Sequence, residues 1–145
     1  MAALLPITLD VAWADVSPAP VNKTDGATVV AKVDPLDKYR NAQTLSATEL
    51  ADLLSLVGFH GHSLTTAIAV VAKESHGNPL DHNFNPKTGD NSYGLFQINM
   101  YGNLEADRLK TYNLKTNADL YDPVTNAQVA FSISNSGTNF GPWKM

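Results

Sequence analysis

The chain has 145 residues, of which 43% are hydrophobic and 17% are charged, so it is long enough for one domain with a modest core. Its formal net charge of −4 argues against nonspecific binding to nucleic acids, which requires a basic surface. No apolar run approaches the roughly 20 residues that cross a bilayer, and the lack of cysteine excludes disulfides and thiolate metal sites.

Residues 1–44 are predicted to form an extended arm or linker. Pro6, Pro18, Pro20 and Pro35 occur there among small and polar residues, without sustained hydrophobic periodicity. We expect this arm to dock onto a partner protein, and a free tail is the alternative. The first twenty residues have no Lys or Arg before their apolar part, which predicts that there is no cleaved signal peptide.

A helical domain is predicted over residues 45–145, and its first helix follows Ser46. Ser46 and Glu49 have the spacing of a capping box, in which each side chain bonds the other residue's backbone N–H. Gly58 is placed to end this helix. One face of the helix is apolar and consists of Leu50, Leu53, Leu54 and Val57.

The second predicted helix is HSLTTAIAVVAKES, with Ser63 as its candidate N-cap. It is apolar nearly all round, which is typical of a helix central to a fold. Gly77 and Pro79 are expected to stop it.

The rest of the chain predicts a small lobe of loops and strands, followed by more helix. LDHNFNPKTGDNS is rich in turn residues, and YGLFQINM is either a strand or the entry to a helix. LEADRLKTYNL is predicted to be helical, and Asp122-Pro123 is typical of the start of another helix. GTNFGPWKM is predicted to be loop. The predicted fold class is therefore mainly α (α+β).

Glu74 ends the central apolar helix and is the first candidate for catalysis. Partial burial and the negative end of the helix dipole both favour its protonated form. Cleavage of a glycosidic bond requires such an acid, because the leaving oxygen must receive a proton. A solvated helix terminus is the alternative interpretation.

The motifs after Glu74 favour the catalytic interpretation. Glu-Ser, then Asn-Pro, then SYGLFQIN resembles the lysozyme-like superfamily, and more closely its soluble-lytic-transglycosylase (SLT) type. The longer run GDNSYGLFQINMYGNL, with LYDPVTNAQVAF and GTNFGPW, resembles the versions in bacteriophage tail and tape-measure proteins. The resemblance covers residues 46–143. It implies a lysozyme-like fold, with a small loop and strand lobe beside a central buried helix, and an enzyme that degrades peptidoglycan.

The resemblance also assigns roles to individual residues. It makes Glu74 the general acid and base, and Ser75 a support for the helix end. Phe140 matches an aromatic position at the edge of the groove. Six residues match positions beside the glycan or facing the catalytic region: Ser92, Tyr93, Gln97, Asn99, Asn126 and Trp143. For Tyr93 and Trp143 a place in the core is an open alternative, and for Phe96 and Ile98 it is the preferred one.

The chain departs from animal-type lysozymes at Ser92, which stands where those enzymes have their second carboxylate. Asp90 is the nearest alternative carboxylate, and we expect it to cap the turn. One reliable carboxylate favours a lytic transglycosylase that cleaves between N-acetylmuramic acid and N-acetylglucosamine. Two other functions stay open: a hydrolytic lysozyme that uses Asp90, and a structural or glycan-binding virion component with little activity.

The expected setting is a phage virion tail acting at the bacterial cell wall. The expected partners are peptidoglycan strands and, through residues 1–44, other tail proteins, with neither nucleic acid nor a membrane span. The pair His60 and His62, with His76, Asp81 and His82, matches no known zinc spacing. We therefore predict no metal and no cofactor.

Overall fold

We describe the protein from a computed structural model, which covers residues 30–145 and the backbone of residues 23–24 and 27–28. The chain divides into two compact units, Met1–Val33 and Asp34–Met145. In the first unit, β1 (Lys23–Thr24) pairs antiparallel with β2 (Ala27–Thr28). The stretch considered for a signal peptide lies outside the described residues, as does most of the predicted arm.

The second unit begins at Asp34, earlier than the domain start predicted at residue 45. The unit begins earlier because Leu36 and Tyr39 are buried in its hydrophobic core. Tyr39 lies in a 3₁₀ turn (Asp37–Tyr39), and its hydroxyl donates a hydrogen bond to Asp52 Oδ2 at 2.6 Å. The docking of the arm onto a partner stays a prediction.

Helix α1 (Ala47–Val57) has the N-terminus that the sequence predicts. The Glu49 backbone N–H donates to Ser46 Oγ at 3.2 Å, and the Ser46 N–H donates to Glu49 Oε2 at 2.8 Å. The helix ends before Gly58 and buries Leu50, Leu53 and Leu54, while Val57 packs at the edge of the core.

Helix α2 (Gly61–Ser75) carries Glu74 in its last turn. The prediction that Ser63 is its N-cap is wrong: the N-cap is His60, whose N–H donates to Ser63 Oγ at 3.0 Å. Ser63 instead lies in the first turn of the helix and accepts the hydrogen bond of the N-cap residue. One face of the helix is buried, through Ala67, Val70, Val71 and Ser75.

Three short strands form the small lobe: β3 (His82–Asn85), β4 (Asp90–Tyr93) and β5 (Ile98–Asn99). They form one antiparallel sheet in the order β3-β4-β5. The run YGLFQINM is thus the end of β4, a turn at residues 94–97 and then β5, which settles the choice between strand and helix.

The remaining elements are helix α3 (Asn103–Thr111), a 3₁₀ helix (Asn117–Tyr121), helix α4 (Pro123–Ile133) and a 3₁₀ turn (Gly141–Trp143). As predicted, Asp122 caps α4 and Pro123 is its first residue. The C-terminal stretch predicted to be loop contains the last 3₁₀ turn.

The core joins α1, α2 and α4 to the 94–97 turn. The Phe59 ring is central to it, with ring centroids 4.9 Å from Phe131 and 6.0 Å from Phe96. In the described part of the second unit, four α-helices lie beside one small antiparallel sheet, which confirms the predicted α+β class. Among the described residues, no helix combines the length and the apolar character that a membrane crossing requires.

Candidate active site

A cleft of about 680 Å³ lies between the end of α2, the three-stranded sheet and the C-terminal 3₁₀ turn. Glu74, Asp90 and Ser92 all line it. The predicted acid and the candidate second carboxylate therefore face one space, although they lie on different elements.

The Glu74 side chain is half-buried, with 26% of its surface exposed. Lys73 Nζ lies 3.8 Å from Glu74 Oε1 and donates a hydrogen bond to the Trp143 carbonyl oxygen at 3.1 Å. The two side chains are therefore close enough for an ion pair, which solvent weakens because the lysine is half-exposed. The same lysine attaches the C-terminal turn to the end of α2.

Ser75, the residue after Glu74, ties the end of α2 to the 94–97 turn. Its hydroxyl donates to the Leu95 carbonyl oxygen at 2.8 Å, and it also lies 3.2 Å from the Val71 carbonyl oxygen. The side chain is buried. Ser75 thus supports the helix end, which agrees with the role that the resemblance implies.

Asn126 is completely buried and holds the same turn from α4. Its Oδ1 accepts from the Phe96 N–H at 2.9 Å, and its Nδ2 donates to the carbonyl oxygens of Tyr93 at 2.8 Å and Leu120 at 2.9 Å. Complete burial is incompatible with the predicted contact to substrate. Asn126 instead satisfies backbone groups that the turn leaves without partners.

Gly94 allows the Asn126 side chain to lie close to the backbone of the 94–97 turn. Its φ of +73° is unfavourable for residues with a side chain, and a Cβ there would collide with Asn126 Nδ2 and with the Leu120 carbonyl oxygen. The glycine of SYGLFQIN is therefore required by the packing of α4 against the turn.

Asp90 does not have the turn-capping role that the sequence favours. Its carboxylate accepts hydrogen bonds from Asn83 Nδ2 and Ser92 Oγ, and all three residues line the cleft. The β3–β4 turn is capped by Asn85, whose Oδ1 accepts from the Lys87 N–H at 3.1 Å. The second carboxylate is thus held in the cleft.

Four of the predicted substrate-binding residues line the cleft with Glu74: Ser92, Gln97, Asn99 and Trp143. The amides of Gln97 and Asn99 also hold the lobe together, because Gln97 Nε2 donates to the Asp81 carbonyl oxygen at 3.1 Å and Asn99 Nδ2 to that of Gly89 at 2.9 Å. Both residues therefore shape the wall that a ligand would meet.

Trp143 combines the two alternatives that the sequence left open. Its indole N–H donates to the Phe96 carbonyl oxygen at 2.8 Å, and 8% of the residue is exposed. It is mainly a core residue with an edge on the cleft. Phe140 packs on Phe59 and Trp143, and Phe96 and Ile98 are buried, as preferred from the sequence.

Tyr93 lies outside the residues that line the cleft, so its predicted contact with the glycan does not fit its position. Its ring stacks on His82, with centroids 4.4 Å apart, and meets the edge of Tyr121 at 5.4 Å. Side chains alternate along a strand, so Ser92 occupies the cleft face of β4 and Tyr93 points to the opposite face, where it packs against the core.

Arg108 is a cleft residue that the sequence did not single out. Its guanidinium donates to the Asn99 carbonyl oxygen, and burial lowers its pKa, although an arginine stays charged at neutral pH. No local pattern distinguishes it from a solvent-facing residue of α3. The described residues include no group of three or more acidic or histidine side chains that could hold a metal ion.

Fold and site together define a class: an α+β domain with a half-buried glutamic acid at a helix end, facing a cleft with polar walls. Residues 51–145 match the family model described as lysozyme like domain, of the SLT type, and the chain belongs to this family. The match confirms the resemblance seen in the sequence and supports an enzyme that cleaves peptidoglycan. No curated protein and no solved structure matches the chain.

Proposed function

We propose that this protein is a lytic transglycosylase that cleaves the β-1,4 bond between N-acetylmuramic acid and N-acetylglucosamine. The observation that carries the proposal is the placement of Glu74, half-buried at the end of α2 in the polar cleft. Ser92, rather than a carboxylate, stands at the sequence position of the second acid of animal-type lysozymes.

Glu74 performs both proton transfers in this reaction. Its carboxylic acid gives a proton to the bridging oxygen, the bond from that oxygen to muramic acid C1 breaks, and N-acetylglucosamine leaves. The Glu74 carboxylate then removes the proton of the muramic acid's own 6-hydroxyl, and that oxygen bonds to C1. The product is a 1,6-anhydro ring, no water is consumed, and Glu74 is protonated again.

Lys73 assists the middle of this cycle. The first transfer leaves a negative charge on Glu74, and Lys73 Nζ, 3.8 Å from Glu74 Oε1, interacts favourably with that charge. Because half of the lysine side chain is exposed, solvent screens the interaction and its effect is modest.

The Glu74→Gln variant tests the role of the acid. Glutamine has the same shape but cannot donate the proton, so the rate of turbidity loss of purified sacculi should fall by at least about a hundredfold. The matched control is Glu105→Gln on the exposed face of α3, which should keep wild-type activity. Full lysis by Glu74→Gln would contradict the proposal.

A hydrolytic lysozyme is the second candidate, because Asp90 is fixed in the same cleft by Asn83 and Ser92. An oriented carboxylate could activate water or bond to the sugar. Mass spectrometry of the digest separates the two reactions: transglycosylation yields 1,6-anhydro ends and hydrolysis yields reducing ends. Transglycosylation also predicts that Asp90→Asn keeps most of the activity, whereas hydrolysis predicts a loss as large as that of Glu74→Gln.

We also propose that the enzyme acts at the bacterial cell wall as part of a phage tail, with residues before Asp34 docking onto other virion proteins. This proposal is motivated by the motifs shared with tail and tape-measure proteins. Purified tails should contain the polypeptide, and removal of residues 1–33 should release it from them while leaving lysis of sacculi intact. Tails that lack the polypeptide would contradict this location.

A further inference from the structure

A second groove, of about 510 Å³, lies in the Asp34–Met145 unit and shares no lining residue with the cleft. It is bordered by residues 41–43, Leu80, the chain between α3 and α4, and α4 itself. Its polar lining is dominated by amides and phenols: Asn41, Gln43, Asn113 and Gln128, with Tyr112 and Tyr121. The enzyme mechanism uses none of these residues.

The amides of this second groove are available to a ligand. Asn41, Gln43, Asn113 and Gln128 are all exposed, and their side-chain amides make no hydrogen bond to another described residue. Each amide offers both a donor and an acceptor, which is the combination that hydroxyl and acetamido groups require.

The two carboxylates that line the second groove already accept hydrogen bonds from other groups of the protein. Asp119 accepts from the Lys115 N–H at 2.6 Å, and Asp122 accepts from the Asn41 N–H at 2.7 Å and from Arg40 Nη1 at 3.1 Å. Of the residues that the structure describes, neither a lysine nor an arginine lines the groove. Two carboxylates without a lining cation disfavour anionic ligands such as peptides rich in carboxylates. A neutral, polar ligand fits better.

Tyr121 connects the second groove to the catalytic lobe. It lines the groove and meets Tyr93 edge to face, and Tyr93 in turn stacks on His82, which lines the cleft. Leu80 lines the groove and the next residue, Asp81, lines the cleft. Burial, followed by the nearby Tyr93 and Asp81, raises the pKa of Tyr121, so its phenol remains a donor at neutral pH.

We infer that the second groove is an accessory saccharide-binding site that takes a neutral stretch of N-acetylated β-1,4 glycan outside the cleft. Four amides supply hydrogen bonds to hydroxyl and acetamido groups, and tyrosine rings offer flat apolar faces to sugar rings. The choice of an N-acetylated glycan rests on the proposed function, whereas the preference for a neutral saccharide rests on the groove alone. Such a site would hold the enzyme on its polymer while Glu74 acts elsewhere.

The direct test is an NMR titration of the Glu74→Gln full chain with the β-1,4-linked tetramer of N-acetylglucosamine. The side-chain NH₂ signals of Asn113 and Gln128 should shift together in a saturable manner. Signals that move only for cleft residues such as Gln97 would overturn the inference.

Substitutions of two groove amides provide a second test, in which binding to peptidoglycan is measured. Asn113→Gly suits the left-handed backbone at that residue (φ 55°), and Gln128→Ala suits helix α4. Each should weaken binding of Glu74→Gln to insoluble peptidoglycan by about two- to tenfold, the value of one hydrogen bond. Ser132→Ala, exposed one turn further along α4, is the control and should bind like its parent. Unchanged binding by both variants would contradict the site.

The two proposals fail in different ways. Tetramer shifts in the groove, without lysis of sacculi by the wild type, would remove the proposed enzyme activity and keep the saccharide site. Lysis by the wild type, with no shift of Asn113 or Gln128, would keep the enzyme and remove the site.

Discussion

The Ser75 hydroxyl donates a hydrogen bond to the Leu95 carbonyl oxygen at 2.8 Å, across twenty positions of the sequence. Ser75 follows Glu74 at the end of α2, and Leu95 lies in the turn between β4 and β5. The position of the proposed acid relative to the cleft is therefore set by a bond to its immediate neighbour, in a buried place where water cannot compete.

Ser75→Ala should therefore reduce both stability and activity. It leaves the buried Leu95 carbonyl oxygen without this donor, which costs about 1–3 kcal/mol, and it releases the helix end that carries Glu74. Urea denaturation and turbidity loss of sacculi measure the two effects. The exposed Ser132→Ala should change the free energy of unfolding by less than about 0.5 kcal/mol. A Ser75→Ala variant as stable and active as wild type would show that the bond has no positioning role.

Asn126→Leu should destabilise the fold rather than weaken substrate binding. Leucine has the same branching as asparagine but forms no hydrogen bonds, so three backbone groups, of Tyr93, Phe96 and Leu120, lose their partner, at a total of about 3 kcal/mol or more. Thermal and urea unfolding measure this loss. The exposed Asn103→Ala provides the control. Wild-type stability with impaired glycan binding would instead restore the substrate role that the sequence suggested.

Gly94→Ala and Gly102→Ala form a matched pair. Both glycines have positive φ, +73° and +60°, but a Cβ at Gly94 collides with Asn126 and Leu120, whereas nothing lies within 4 Å of one at Gly102. Gly102→Ala should cost about 1–3 kcal/mol of backbone strain, because its φ of 60° with ψ of −132° suits only glycine, and Gly94→Ala should add an overpacking term of about 1–3 kcal/mol to its own strain. Comparison of the two unfolding midpoints isolates the collision, and equal midpoints would refute it.

The Asp122 carboxylate leads us to expect that the folded protein loses stability in acid. Burial raises its pKa, but hydrogen bonds from the Asn41 N–H, from Thr125 and from Arg40 outweigh this and hold the pKa below its ordinary value of about 4. A group with a depressed folded pKa stabilises the fold above its unfolded pKa, and this contribution is lost as the pH falls through the folded value.

The Asp122→Asn variant tests the direction of this pH dependence of stability. It should be less stable than wild type at pH 7, and the difference should shrink as the pH falls below about 4, where the aspartate becomes protonated too. Urea unfolding at several pH values measures the difference, with the exposed Asp107→Asn as control. A difference independent of pH would mean that the carboxylate charge contributes nothing.

The elements that the sequence predicted correctly are those with complete local signals. Ser46 and Glu49 form their capping box with atoms only three residues apart, and Asp122 with Pro123 starts α4 in the same way. Glu74 was placed correctly near the end of α2 because its apolar helix lies in one continuous segment, and its catalytic role stays a prediction. For these residues the local sequence contains most of the relevant interactions.

The errors concern residues whose partners are distant in sequence. Asn126 bonds Phe96, thirty positions away, and nothing around Asn126 reveals that it is buried. The start of the compact domain was placed too late because Tyr39 is buried by residues that follow it, including Asp52. Whether Tyr93 or Ser92 lines the cleft depends on which face of β4 meets it. The sequence does not reveal that face, and because neighbouring residues of a strand point to opposite faces, the wrong choice puts Tyr93 in the cleft instead of Ser92.

The backbone of the 94–97 turn is held from three sides, by Ser75 from α2, Asn126 from α4 and Trp143 from the C-terminal turn. Because these three hydrogen bonds come from elements that pack in the core, we expect this wall of the cleft to keep its shape when a polymer enters. We expect the sugar ring beside Glu74 to bend out of its relaxed chair while the protein keeps its shape.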